Sequence, residues 1–235
     1  MTDVARVLAG FFERARNDEE RKYLETHALR YEFLIEAVER SPAPRRLLDV
    51  GPSYEAALIR SLVPDRQVDT IGFHDERFPL RDGETHTEFD LNDAADPTRW
   101  PALEPYDCIV CAEVIEHLYT SPLHLLRMLR SLVAPGGSVV IQTPNAAAIE
   151  RRFWLLAGRN PFEPLREDLH QAGHFREYTL DELIDLAGRA GFTVALAERR
   201  NYFLSGSRKN RLLVELGFLV PSPLRHGITM VLRPA

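Results

Sequence analysis

Four side chains could do acid–base or metal chemistry together. Glu113, Glu116 and His117 stand at i, i+3 and i+4, a spacing that puts all three on one side of a helical turn. His117 is the first candidate for a general base, because an imidazole accepts a proton near neutral pH. His174, in the polar stretch GHFREY, is the second, and His170 in the same loop is a third. A structural role for His117, bonded to a neighbouring carboxylate at a helix start, competes with the base role. With His174, the two carboxylates and His117 would also suit a divalent cation. A second centre is LLDVGPS, where Asp49 and Gly51 end an apolar run and a helix follows. Glycine lets a ligand approach the backbone, and the free N–H groups of the helix start attract an anion such as a carboxylate. Ser53 could cap that helix and touch the same anion. Arg151, Arg152, Arg159 and Arg166 could clamp an acceptor phosphate; with Glu150, Glu163 and Glu167 among them they equally describe a solvated face.

The elements that must carry these residues alternate. Residues 3–40 read as helix, from Val7, Leu8, Phe11 and Phe12 and again from Tyr31, Leu34, Ile35 and Val38, and SPAP at 41–44 stops it. Strands are expected at RRLLDV, VDTIGF, HTEFDL, YDCIVCAEV, SVVIQTP, TVALAE and GITMVLR. Helices are expected at YEAALIRSLV, PLHLLRMLRSLVA (stopped by Pro135-Gly136-Gly137), AAAIERRFWLLAG, 180–190 behind a Thr179/Glu182 capping box, and 207–220. Near-continuous apolar strands between amphipathic helices predict an α/β fold: a Rossmann-like, doubly wound, mostly parallel seven-stranded sheet with helices on both faces. The expected division is an N-terminal helical extension over 1–44 and one domain over 45–235, with a helical insertion after strand five at about 145–178. Such sheets bind ligands at the carboxyl ends of their strands. Cys108 and Cys111 stand three apart on one strand, so they face opposite ways and share neither a metal nor a disulfide.

The order LLDVG, EFDLND, YDCIVCAEVIEHL, LVAPGGSVVIQTPN resembles the class I S-adenosylmethionine-dependent methyltransferases over roughly 45–145. GHFREYTLDELIDLAGRAGF resembles the later segment of a group that includes sugar and quinone-precursor O-methyltransferases. The resemblance implies S-adenosylmethionine as cofactor. It places Asp49 and Gly51 near the methionine portion, Asp90 and Leu91 at the adenine, and Cys111, Ala112 and Glu113 along the cofactor. His117 then borders the acceptor, with Asn145 and His174 as further lining. Two departures stand out. The usual G-x-G-x-G loop reads Gly51-Pro52-Ser53-Tyr54-Glu55, and the acidic residue expected after strand two for the ribose is His74, with Asp75 next to it. An E-x-x-E-H pattern with a distant histidine also resembles metal-dependent methyltransferases of small-RNA terminal ribose. The same EHL occurs in metal-free members, where the first glutamate faces the cofactor, and no metal is expected here.

The 235 residues carry a net charge of -6, which makes nucleic acid an unfavoured partner. No apolar run approaches the ~20 residues that cross a bilayer, and no signal pattern interrupts the reading of a cytoplasmic protein. LLVELGFLV could dock on a membrane, but is expected instead to pack on the insertion or on a second subunit of a homodimer. The function expected is methyl transfer to a hydroxyl of a small acceptor, a sugar or glycan precursor, phosphorylated or glycan-linked acceptors included. The alternatives are a cofactor-binding scaffold without turnover and the RNA-terminal enzyme.

Overall fold

The computed structural model describes residues 2–41, 45–167, 173–202 and 220–235. His170 and all but the last residue of the helix expected at 207–220 lie outside them.

Seven strands form one sheet in the order β3-β2-β1-β4-β5-β7-β6. They are β1 (Arg46–Val50), β2 (Gln67–Gly72), β3 (His86–Glu88), β4 (Tyr106–Ala112), β5 (Val133–Pro144), β6 (Phe192–Arg200) and β7 (Gly227–Pro234). All neighbours are parallel up to β5; β7 alone runs antiparallel, to both β5 and β6. β1 pairs with β2 on one side and β4 on the other, with Leu47 against both Val68 and Cys108. The chain therefore winds outward through β2 and β3, then crosses back to β4. A crevice opens at such a reversal, beyond the carboxyl ends of β1 and β4.

Strand alternation fills two cores. Ile109 and Cys111 join Leu125, Leu126 and Leu129 of α4 (Pro122–Leu132) and Leu183 and Ala187 of α6 (Leu180–Arg189) on one face. Cys108 and Val110 join Leu8 of α1 (Thr2–Glu13), Leu24, Tyr31 and Leu34 of α2 (Asp18–Glu39) and Leu58 and Ile59 of α3 (Tyr54–Leu62) on the other. The cysteines thus point to opposite faces, as expected. Of the amino-terminal helices, α2 packs on the sheet at β5 and β7 and α1 packs on α2 and α3, and both contribute to the second core.

Three elements differ from expectation. β3 stops at Glu88, because the Asp90 side chain takes the Asn92 N–H at 2.9 Å and starts a 3₁₀ turn over Leu91–Ala95. β5 begins at Val133, directly behind α4, so Pro135-Gly136-Gly137 lies inside the strand. The pairing jumps from Tyr106/Val133 to Cys108/Ser138 there, and the bulge absorbs the loop. A Cβ on Gly137 would stand 2.8 Å from the Asp107 carbonyl, which is why glycine is needed at that position. Finally, α5 (Ile149–Leu156) is shorter than AAAIERRFWLLAG and buries no residue.

Candidate active site

A cavity of about 740 Å³ lies over the carboxyl ends of β1 to β4. Gly51 and Pro52 floor it after β1, Gly72 to Asp75 after β2, Phe89 to Asn92 after β3, and Glu113, Val114 and His117 after β4. Gly173 and Phe175 close it from the insertion.

Gly51 sits at φ 75°, and a Cβ there would meet Val114 Cγ2 at 3.0 Å. Its backbone is thus bare toward the cavity, as a ligand-approaching loop requires. The bulky residues that replace the later glycines turn away. Tyr54 donates its hydroxyl to Glu20 on α2 and lays its ring edge-on to Phe78, 5.0 Å between centroids. Glu55 points inward to a buried ion pair with Arg30 at 2.5 Å. Side chains at these two positions therefore leave the cavity open.

Several expected lining residues stand behind it instead. Asp49 is 2% exposed and absent from the lining; a backbone N–H of Ser53 bonds it, and burial and then Glu55 raise its pKa well above the ordinary carboxylate value. It shapes the loop from below. Ser53 caps α3 through the Glu55 N–H and does not reach the cavity. Cys111 is fully buried in the α4/α6 core, its thiol pKa raised by burial. Asn145 is a strut: its side-chain amide bonds the carbonyls of Pro223 and Arg225, and its oxygen takes the Ala147 N–H. Gly51, His74, Asp75, Asp90, Leu91, Glu113 and His117 do line the cavity. The Asp75 carboxylate is gripped by Arg77, which lowers its pKa. Asp90 spends Oδ1 on Asn92, and its Oδ2 has no hydrogen-bond partner among the described residues. Phe73 and Val114 line it too, at the strand ends where such sheets bind ligands; Arg77, Tyr119 and Phe175 were missed, and nearness to a strand end or to His174 is the one signal that could have found them.

The β4 end is tightly folded. Glu113 takes φ 56°, and a 3₁₀ turn over Ile115–His117 follows. This breaks the i, i+3, i+4 helix expected for Glu113, Glu116 and His117. The Phe175 N–H donates to the Glu116 carbonyl at 2.8 Å, pinning the insertion to the turn. The His117 and His174 rings consequently meet edge to face, 4.7 Å apart. His117 Nδ1 donates to the Gly173 carbonyl at 3.0 Å, and His174 Nδ1 to Glu177 Oε1 at 3.0 Å. A carbonyl and a carboxylate only accept, so each neutral ring keeps its lone pair on Nε2. Neither Nε2 has a partner among the described residues. Burial, then His174, lowers the His117 pKa. Burial pushes Glu113 up to about 7, and pushes Glu116 well above the usual range. Oε1 of Glu113, of Glu116 and Oε2 of Glu177 are buried without hydrogen bonds.

The arginines of the insertion are engaged locally. Arg151 pairs with Glu177 at 2.5 Å, Arg152 bonds the Ala147 carbonyl, Arg159 lies over the Trp154 ring and Arg166 pairs with Glu163. None lines the cavity.

A family model described as a methyltransferase domain matches residues 18–197. No curated protein matches. The N-methyltransferase NodS from Bradyrhizobium japonicum WM9, solved in complex with S-adenosyl-l-homocysteine, aligns with TM-score 0.56 at 15% identity over 99% of this chain and 98% of its own. The putative methyltransferase in a complex with the Haloferax volcanii Trm112 activator gives 0.60 at 12% identity, covering 95% and 97%. The mitomycin 7-O-methyltransferase MmcR gives 0.52 at 13%, covering 96% and 60%. These likenesses establish the fold.

Proposed function

We propose that this chain, which belongs to the methyltransferase-domain family and uses S-adenosylmethionine as its methyl donor, methylates a hydroxyl of a small metabolite, most simply a sugar or glycan precursor. The residues present fit the donor. The free Oδ2 of Asp90 and the backbone of Leu91 face the cavity where the adenine would lie. His74 and Asp75 stand at the ribose position, and the bare Gly51 backbone receives the methionine end. The donor supplies an activated methyl on its sulfonium. What the protein adds is alignment and a place for the acceptor proton.

The single observation that carries hydroxyl chemistry is the imidazole pair. His117 lines the cavity, the His174 ring meets it edge to face, and neither Nε2 has a partner among the described residues. An alcohol must lose a proton to become a nucleophile, and His117, a lining residue with its Nδ1 committed to Gly173, is the base assigned to receive it on this reading. The neighbours of known activity include both an N- and an O-methyltransferase, so fold likeness does not choose the acceptor atom. The acceptor is not required to be phosphorylated, since the four insertion arginines already have partners.

The test is a panel of hydroxylated and amine acceptors, scored by release of S-adenosylhomocysteine and by the mass of the methylated product. Turnover with a sugar hydroxyl supports the reading. Turnover with amines alone would overturn it, and tight S-adenosylmethionine binding without any turnover would favour a scaffold.

A further inference from the structure

The donor cavity does not end at its rim. A second cavity of about 610 Å³ opens beside it, and Leu118, Tyr119 and Phe175 belong to the walls of both. The chain from His117 to Tyr119 thus runs from the proposed base to the place where the two cavities meet. On the reading of the donor cavity as a hydroxyl methyltransferase site, we propose that the second cavity is an acceptor subsite for a neighbouring sugar ring. The acceptor is then a glycoside or oligosaccharide, and a free monosaccharide fills only part of the site.

Two aromatic rings are held at the junction. Tyr119 is 69% exposed, yet its backbone is fixed. Asn92 Oδ1 accepts the Tyr119 N–H at 2.9 Å and the Thr120 N–H at 3.2 Å, and the Asn92 amide is itself bonded to Asp90 at 3.0 Å. Phe175 is fixed from the other side by its N–H on the Glu116 carbonyl. The rings meet edge to face, 5.9 Å between centroids and 75° between planes, an arrangement that leaves a ring face uncovered. A single exposed tyrosine needs no explanation. An exposed ring on a doubly bonded backbone at the mouth of the donor cavity is a prepared platform. A pyranose carries C–H groups on its faces and hydroxyls around its rim. Stacking therefore covers apolar surface on both partners and leaves the hydroxyls free to bond.

The rest of the wall selects among ligands. Arg176 pairs with Glu182 at 2.5 Å and Arg189 with Asp185 at 3.2 Å, and all four line the second cavity. Glu182 is anchored in turn by the capping box with Thr179, so the first pair has a fixed place. With the charges matched in pairs, neither an anion nor a cation finds an uncompensated partner, and a hydrocarbon tail would bury polar groups at a cost. A neutral ligand rich in hydroxyls fits. The guanidinium groups donate, the carboxylates accept, and the Thr120 hydroxyl does both.

The test is a ligand-observed NMR titration of the protein saturated with S-adenosylhomocysteine. Hexose, 6-deoxyhexose and N-acetylhexosamine are each offered as the methyl glycoside and as the matching disaccharide. In the sugar class that binds, the disaccharide should bind at least about fivefold more tightly than the methyl glycoside, the worth of one stacked ring. Tyr119→Ala and Asp185→Ala should each bring that ratio to about twofold or less, and Tyr119→Phe should keep it, because the ring face does the stacking. A general loss of folding or of donor binding lowers both affinities alike and leaves the ratio unmoved. Equal affinities in the unmodified protein, a ratio that either alanine variant keeps, or no saccharide bound at all would overturn the subsite. Methylated sugar formed in the presence of S-adenosylmethionine would then leave the hydroxyl reading standing. A ratio lost in the variants, with no methylated product from any sugar, would keep the subsite and sink the hydroxyl reading instead.

Discussion

At the scale of single residues, the cavity depends on backbone shape at Gly51 and on imidazole orientation at His117. Gly51 is left-handed at φ 75°, and its missing Cβ clears Val114 by only 3.0 Å. Gly51→Ala therefore carries backbone strain of about 1–2 kcal/mol, and the loop relieves it by moving. Calorimetry should show S-adenosylmethionine affinity falling about tenfold or more while the circular dichroism spectrum is unchanged. Normal affinity would mean that this loop does not hold the donor. If His117 is the acceptor's base, as proposed, His117→Ala should lower turnover by about 10²–10⁴ with little change in donor affinity. Near-normal turnover on the true acceptor would remove His117 from the chemistry. His174→Ala should show a smaller loss in the same assay, mostly in acceptor binding.

Element by element, much of this was legible in the sequence, and the failures have physical causes. β1, β4 and the central part of β5 are continuous apolar runs, and the capping box at Thr179 and Glu182 forms as its residues predict. What failed was side-chain direction. Asp49, Ser53 and Cys111 lie in the right segments, yet strand alternation and capping turn them away from the cavity. The meeting of His117 with His174 depends on a backbone bond between residues far apart in sequence, and no local pattern encodes that. Nor did the degenerate loop announce its compensation, which lies on α2. There Glu20 and Arg30 receive Tyr54 and Glu55 and draw both side chains off the cavity. Arg30 and Glu55 are 1% and 2% exposed, so removing one strands the other. Arg30→Ala should destabilise the fold by about 3–5 kcal/mol in a denaturant titration, and Arg30→Met with Glu55→Leu should recover most of that loss. Equal stability of Arg30→Ala and the unmodified chain would show that α2 is not fastened to α3 by this pair.

For the molecule as a whole, the cavity is a junction rather than a surface dent. Its lining comes from the ends of β1, β2, β3 and β4 and from the insertion, elements that pack into both cores. A donor bound there cross-links the two halves of the sheet at the reversal between β1 and β4, and it binds the folded chain alone. Occupancy must then raise stability by mass action, by about 2.7 kcal/mol when the ligand stands at a hundred times its dissociation constant. For a chain of this size that corresponds to a Tm rise of roughly 5–10 °C. S-adenosylhomocysteine should produce a rise of this order in differential scanning fluorimetry, adenosine alone a smaller one. Asp90→Ala removes the acceptor offered to the adenine and leaves a buried donor of the ligand unpaired, a loss of about 1–3 kcal/mol. At a ligand concentration a hundred times the unmodified chain's dissociation constant, its Tm rise should shrink to between about two-thirds and a tenth of that of the unmodified chain. The Asn92 cap also depends on Asp90, so the unliganded Tm is the proper baseline for each variant. Equal rises in the two proteins would move the adenine away from Asp90, and no rise in either would remove the donor from this cavity.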